Sequence, residues 1–263
     1  MSLAVLQEGL AQLDRLVVAF SGGVDSALLA RVAHDVLGDR SVAVTAVSES
    51  LSPAERDDCR RFAGDWGMRW LEVGTDELAR PEYVANGIDR CYHCKSELMD
   101  RLVPVAEAEG GASIALGVNL DDLSDHRPGQ QAARERGACF PLVEAGFTKD
   151  LVRRTARELG LEAWDKPAAA CLASRIPYGT PVTISNLGRV SRAEDAIRAL
   201  GFRELRVRHY GDVARIELPT AELGEAVRRR EEIVEAVKAH GYRYATLDLE
   251  GFRSGNLNMG YSA

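Results

Sequence analysis

The sequence predicts an α/β fold, a doubly wound parallel sheet with a small α+β C-terminal domain. Three observations lead there. Apolar runs of strand length recur through the first 160 residues, stretches of helical spacing separate them, and the alternation stops near residue 180. Strands separated by helices pair in parallel, because each helix returns the chain to the starting edge of the sheet.

Leu16–Phe20 is a continuous apolar run and reads as a buried first strand. Val24–Leu37 then sets Leu28, Leu29, Val32, Ala33 and Val36 at helical spacing, and Gly38 stops it. Val42–Val47 is a second strand. Ser52, Pro53 and Glu55 open the next helix as N-cap, first helical residue and capping-box partner. Trp70–Val73 is a third strand, Cys94–Glu109 a helix, Ser113–Val118 a fourth strand and Thr148–Leu159 a further helix.

Leu161–Pro181 breaks the pattern with Pro167, Pro177, Gly179 and Pro181. A helix over Ser185–Leu200 follows, then strands at Arg203–Arg208 and Val213–Leu218. A helix over Thr220–His240 and a strand at Tyr244–Leu249 complete the order. The chain is expected to divide into domains at 1–179 and 180–263. The tail Gly255–Ala263 is expected to be flexible unless a partner orders it.

Of the 263 residues 46% are hydrophobic, enough for a sizeable core, and the net charge of −7 argues against a general nucleic-acid binder. Apolar runs of strand length leave no membrane span. Met1–Glu8 has neither a basic n-region nor a cleavage site, so a cytoplasmic protein is expected. Five cysteines, an odd number, point to metal binding or catalysis rather than a disulfide framework.

Ser21-Gly22-Gly23-Val24-Asp25-Ser26 lies between the first strand and its helix. Glycines there bring backbone N–H groups close to a ligand, and the helix start adds unpaired donors and a positive dipole end. Ser21 and Ser26 add hydroxyls, whereas Asp25 contacts phosphate only through an intervening Mg²⁺. The loop lacks the lysine of a Walker A motif and the third glycine of a dinucleotide fingerprint. It resembles the PP-loop of ATP pyrophosphatases, which cleave ATP between the α- and β-phosphates. Gly117-Val118-Asn119-Leu120-Asp121-Asp122, after the fourth strand, resembles the G-T-N-x-D-D stretch near the nucleotide in those enzymes.

Cys91-Tyr92-His93-Cys94 places two thiols at a helix start, where the dipole lowers their pKa. A redox pair, half of a zinc site, and two ligands of a 4Fe–4S cluster completed by Cys171 all fit. Cys59 and Cys139 read as buried small hydrophobes. Arg206 and Arg208 alternate on one strand face, suited to phosphate recognition or to a solvated sheet face. Arg175 shares a loop with Cys171. Lys95 and Lys166 are expected to neutralise charge near the cysteines.

Taken in order, the glycine loop, Arg90–Lys95, Gly117–Asp122, Pro167–Gly179 and Leu247–Gly255 resemble the LarE family of ATP-dependent sulfur transferases along nearly the whole chain. The resemblance implies a PP-loop, adenine nucleotide alpha hydrolase-like fold and a substrate that is a pyridinium biscarboxylic acid mononucleotide. ATP would adenylate a substrate carboxylate and sulfur would displace AMP, a step towards the nickel-pincer nucleotide cofactor of lactate racemase. Ser21, Gly22, Gly23, Val24, Asp25, Ser26, Gly117 and Asn119 would then bind ATP and Mg²⁺, with Asp25 also assisting catalysis. Cys171 corresponds to the family's sulfur-bearing cysteine, sacrificed in one branch and joined by a C-x-x-C on a 4Fe–4S cluster in the other. Cys91 and Cys94 favour the cluster branch. Arg175, Arg206 and Arg208 would take the substrate phosphate and carboxylate. A homohexamer is implied, as are a sulfur donor and nickel-insertion proteins as partners. A tRNA-thiolating PP-loop enzyme is the alternative, disfavoured by the acidic charge.

Overall fold

The computed structural model describes residues 3–123, 128–166 and 171–252. The expectations for Pro167–Ala170 and Gly255–Ala263 lie outside them. The chain forms two compact units, Met1–Tyr83 with Ile88–Ala169, and Val84–Gly87 with Ala170–Ala263. The expected division at residue 179 compares with a boundary at 169, and the second unit also takes Val84–Gly87 from early in the chain. Asn86 explains that loan. Its Nδ2 donates to the carbonyls of Ile176, Pro177 and Thr180, and Gly179 N donates back to Asn86 O.

The elements of the first unit begin with α1 (Leu3–Ala11), β1 (Leu16–Ala19), α2 (Val24–Leu37), β2 (Ser41–Val47), α3 (Pro53–Asp65) and β3 (Trp70–Gly74). After the short α4 (Pro81–Ala85) come α5 (Arg90–Ala108), β4 (Ser113–Leu116), α6 (Pro128–Glu135), α7 (Pro141–Glu144) and α8 (Lys149–Glu158). The strands form a parallel sheet in the order β3-β2-β1-β4.

Period-two alternation on β1 feeds a core on each face. Leu16 and Val18 pack with Leu6, Leu28, Val32, Phe62 and Val152, while Val17 packs with Val44, Leu98, Leu102 and Ile114. Helices thus cover both faces, as the doubly wound pattern requires. The strand order reverses between β1 and β4, and such switch points place ligands beyond the strand carboxyl ends.

Local signals account for several boundaries. Ser52 Oγ accepts from Glu55 N at 3.3 Å, and Thr148 Oγ1 caps α8 through Leu151 N. Gly38, at φ +57, ends α2. Two expectations need correction. The helix predicted to begin at Cys94 begins at Arg90, so Cys91 as well as Cys94 lies inside α5. Cys139 does not enter a strand but makes an isolated parallel bridge to Ala115. The segments α1, α4, α6 and α7 carry no clear sequence signal, because each is short or weakly periodic.

The second unit holds α9 (Ile184–Ala199), β5 (Arg206–Tyr210), β6 (Val213–Glu217), α10 (Leu223–Arg228), α11 (Arg230–Lys238) and β7 (Tyr244–Leu247). Its sheet runs β5-β6-β7, with β5 antiparallel and β7 parallel to β6. Ile197, Val207, Ile216, Ile233 and Val237 form its core. The single helix expected over Thr220–His240 is broken at Arg229 (φ −97°, ψ 23°). There the Arg229 guanidinium turns back to the Leu200 carbonyl at 2.7 Å. Among the described residues, no helix is long and apolar enough to cross a membrane.

Candidate active site

The loop after β1 is held from behind before it turns. Phe20 N donates to Val44 O, and Phe20 O accepts from Thr45 Oγ1 at 2.8 Å, itself bonded by the Trp70 indole. Gly22 then takes φ +68, a left-handed conformation that glycine adopts without strain. A Cβ at Gly22 would fall 3.0 Å from Cys59 Sγ, so the loop also packs closely on α3. Gly23 is the N-cap of α2 and contributes no side-chain cap, which leaves N–H groups of the first turn directed outward. Ser26 Oγ closes the turn: it accepts from Ser21 N at 3.2 Å, lies 3.2 Å from Ser21 Oγ and donates to Gly23 O at 3.0 Å. A helix start with flanking hydroxyls is an anion cradle.

Across the switch point, Gly117 makes the contact between β4 and this cradle possible. A Cβ there would lie 2.7 Å from Ser26 N and 2.8 Å from Ser26 Cα, both backbone atoms that cannot swing aside. Gly117→Ala is expected to displace the start of α2, to cost about 1–3 kcal/mol of stability and to weaken nucleotide binding. Denaturant titration together with calorimetric ATP titration checks this.

Asn119, 1% exposed, anchors the second loop: its Oδ1 accepts from Asp121 N at 2.9 Å and from Asp122 N at 3.3 Å. Its Nδ2 donates to Asp25 Oδ1 at 2.9 Å, tying the two sequence-predicted loops together. Asp25 also forms an ion pair with Lys149, the first residue of α8, whose backbone N–H donates to Asp121 Oδ2 at 2.7 Å. Sequence motifs locate Asp25 and Asn119 but miss Lys149, for which local sequence carries no ligand signal.

Lys166 also belongs beside the cradle. Its Nζ is 2.7 Å from Asp58 Oδ2 and 3.6 Å from where a Gly22 Cβ would sit. Burial alone would raise the Asp58 pKa, but the close contact and charge of Lys166 prevail and hold it below the usual range. Lys95 lies elsewhere, on α5 against Gly129, where a Cβ would meet Lys95 Cγ at 2.8 Å and Cys91 O at 2.9 Å.

None of the five cysteines is in a disulfide. Cys91 and Cys94 are three apart on α5 and share a helix face, Cys91 exposed and Cys94 partly so. Cys59 is buried as expected, and burial pushes its thiol up to about 11. Cys139 is partly buried, and its thiol likewise rises to about 11. Such thiols are poor nucleophiles at neutral pH. Among the described residues, no three His, Cys, Asp or Glu side chains are grouped to hold a metal ion. The C-x-x-C alone supplies half of a four-ligand set.

Cys171 lies in the second unit, immediately before a 3₁₀ turn at Leu172–Arg175. Arg175 Nη1 reaches back to Cys171 O at 3.4 Å and to Ser174 Oγ at 3.1 Å, while its Nε donates to Glu194 Oε1 at 2.8 Å. Glu194 also binds Arg198 and Val207 N. Desolvation opposes its charge, yet the two guanidiniums keep its pKa below the ordinary range. Arg208 is bidentate to Glu217 (3.0 and 2.9 Å) and donates to Ser174 O at 2.8 Å. Arg206 covers the Phe252 ring at 4.4 Å. Burial first, then the charges of Arg175 and Arg208, bring its pKa down to about 10. The structure thus gathers Arg175, Arg206 and Arg208 in one cluster with Cys171. It adds Glu194 and Glu217, which no sequence motif singles out.

Residues 5–83 match the NAD synthase family. An uncharacterised protein of Synechocystis sp. is 49% identical over 96% of this chain and 95% of its own length. The tRNA-specific 2-thiouridylase MnmA of Rickettsia felis is 26% identical over 68% of this chain and 59% of its own. The pyridinium-3,5-bisthiocarboxylic acid mononucleotide synthase of Lactiplantibacillus plantarum is 41% identical over 97% of this chain and 93% of its own. With that identity along almost the whole of both chains, and a parallel sheet whose first loop is the glycine cradle, this protein belongs to the family of that synthase, the LarE sulfur transferases of the PP-loop group.

Proposed function

We propose that this protein adenylates a carboxylate of pyridinium-3,5-biscarboxylic acid mononucleotide with ATP and converts it to a thiocarboxylate, in nickel-pincer nucleotide cofactor synthesis. The observation that carries the reading is the cradle itself: a left-handed Gly22 and a glycine-capped α2, bridged to the second loop through Asp25 and Asn119.

In this reading the cradle takes the pyrophosphate of ATP. The adenosine end would lie towards the cavity of about 220 Å³ beyond β2, lined by Val47, Ser48, Leu51 and Arg56 among others. A substrate carboxylate oxygen attacks the α-phosphorus, the bond to the β-phosphate breaks, and pyrophosphate leaves on the donors of the cradle. A sulfur nucleophile then attacks the acyl carbon and AMP departs. Arg175, Arg206 and Arg208 would orient the substrate's anionic groups, with Glu194 and Glu217 fixing two of the guanidiniums. If Mg²⁺ accompanies the nucleotide, Asp25 would share it.

Two sources of sulfur are consistent with the residues. If Cys171 is sacrificed, its Sγ becomes the thioester sulfur. The Cβ–S bond then breaks as the α-proton leaves, giving the thiocarboxylate and dehydroalanine. If a 4Fe–4S cluster carries the sulfur, Cys91, Cys94 and Cys171 would hold it. Two of these thiols, Cys91 and Cys94, share a face of α5. A homohexamer, a separate sulfur donor and nickel-insertion proteins belong to the same proposal, with a cytoplasmic location.

Intact mass across a turnover separates the two sources. Loss of about 34 Da, the mass of H₂S, marks sacrifice of Cys171. Unchanged mass with repeated turnover, and iron and sulfide near 4 per chain in anaerobic protein, marks the cluster. Pyrophosphate release that requires tRNA rather than the pyridinium substrate would favour the alternative, for which the 26% identity to the Rickettsia enzyme is the supporting observation.

A further inference from the structure

We infer that Asn86 is a positioning residue for the substrate: it holds the loop that carries Arg175, and thereby sets where that guanidinium meets the anionic groups of the pyridinium mononucleotide. This rests on the function proposed above and adds to it a residue from outside the motifs that led there.

The segment between the 3₁₀ turn at Leu172–Arg175 and α9 has no regular structure, and Pro177 and Pro181 have no N–H to give. Carbonyls turned into the interior there need donors from elsewhere, because each one left unpaired costs about 1–3 kcal/mol. One side chain supplies them. Asn86 is fully buried, and its Nδ2 lies 3.3 Å from Ile176 O and 2.8 Å from both Pro177 O and Thr180 O. Two backbone bonds run alongside, from Gly179 N to Asn86 O at 3.0 Å and from Val182 N to Val84 O at 2.9 Å. All of these join parts of the second unit, to which Val84–Gly87 belongs.

Asn86 takes φ +55, in the left-handed region, and among the described residues no other non-glycine residue has a positive φ. Asparagine tolerates that conformation better than most side chains do. A backbone of this kind persists where its surroundings over-determine it, and such positions cluster at functional sites. Here the turn brings the carbonyl and the amide of one residue to the same loop.

The consequence falls on Arg175. Its neighbour Ile176 is held through its carbonyl by Asn86, and its other neighbour Ser174 is held through its carbonyl by Arg208 at 2.8 Å. Glu194 orients the Arg175 guanidinium but not the backbone from which it springs. With both flanking carbonyls bonded, the guanidinium is presented in one place. Such placement matters, since a clamp displaced by about 1 Å can lower a rate roughly a hundredfold.

The test compares wild-type protein with Asn86→Asp and Asn86→Gly. Aspartate keeps the size of asparagine but sets an oxygen against three carbonyls, with no N–H to give. Glycine keeps the left-handed backbone without strain and removes only the side chain. ATP–pyrophosphate exchange is followed against the concentration of the pyridinium substrate and, separately, of ATP, while thermal melting tracks folding. The KM for the pyridinium substrate is expected to rise roughly tenfold or more in both variants, and the KM for ATP by less than about threefold. Folded variants with the wild-type KM for the substrate, or with both KM values raised in parallel, overturn the assignment and leave the proposed function standing. Failure of both variants to fold overturns it as well, for the contact would then serve folding alone. Wild-type protein without substrate-dependent exchange overturns the proposed function and the assignment together.

Discussion

Glu217→Leu is expected to destabilise the second unit by about 3–5 kcal/mol, because it strands the Arg208 guanidinium in the interior. Arg208 is 2% exposed and Glu217 fully buried, and two hydrogen bonds of 3.0 and 2.9 Å join them. The pair gains little over an apolar replacement, since desolvating both charges offsets their attraction. Removing one partner is a different matter, for a guanidinium does not shed its proton to escape the penalty. Arg215, which also reaches Glu217 at 3.0 Å, would lose a contact as well. The double variant Arg208→Met, Glu217→Leu should recover much of the loss, although it removes a proposed substrate ligand. Urea unfolding followed by a second-unit probe such as Tyr242 measures both. A single variant within about 1 kcal/mol of wild type would mean that water reaches the pair.

Cys171→Ala is expected to reduce thiocarboxylate formation at least a thousandfold while ATP–pyrophosphate exchange with the carboxylate substrate persists. The two half-reactions separate because they use different groups. On the proposed reaction, adenylation would use the cradle with Asp25 and Asn119, and Arg175, Arg206 and Arg208 for the substrate's anionic groups. Arg175 meets residue 171 at its backbone carbonyl, which alanine keeps. Sulfur transfer, as proposed, would use the Cys171 sulfur or a cluster that Cys171 helps to hold. Loss of both activities together, in a variant that melts as wild type does, would place Cys171 in nucleotide binding instead. Cys59→Ser serves as the comparison, since burial pushes that thiol up to about 11 and makes it a poor nucleophile at neutral pH.

Much of this architecture is legible in the sequence. Continuous apolar runs and helical spacing locate β1, α2, β2 and α3 to within a residue or so, because each is long, periodic or bounded by glycine or a capping serine. The cradle is legible because a left-handed turn packed on α3 at a strand–helix junction requires glycine. The start of α5 is not, because Arg90–His93 is polar and lacks a side-chain cap, so no local signal marks the helix. The break at Arg229 is hidden for a similar reason: a contact with the Leu200 carbonyl, 29 residues away, turns the chain.

Partners across the fold are the least legible part of the site. Alternation assigns Arg206 and Arg208 to one strand face, but nothing local shows that Glu217 on β6 and Glu194 on α9 fix their surroundings. Lys149 and Lys166 reach the cradle only through packing of α8 and the segment after it. Their proximity to Asp25 and Asp58 arises from tertiary structure alone.

The central claim, that the cradle splits ATP to activate a carboxylate oxygen, is tested most directly with pyridinium biscarboxylate substrate labelled with ¹⁸O in its carboxylates. Attack by a carboxylate oxygen on the α-phosphorus, followed by displacement by sulfur, leaves that oxygen on AMP. One ¹⁸O in AMP for each thiocarboxylate formed, with unlabelled pyrophosphate, is the expected result. Formation of ADP and phosphate, or AMP free of label while thiocarboxylate accumulates, would contradict it.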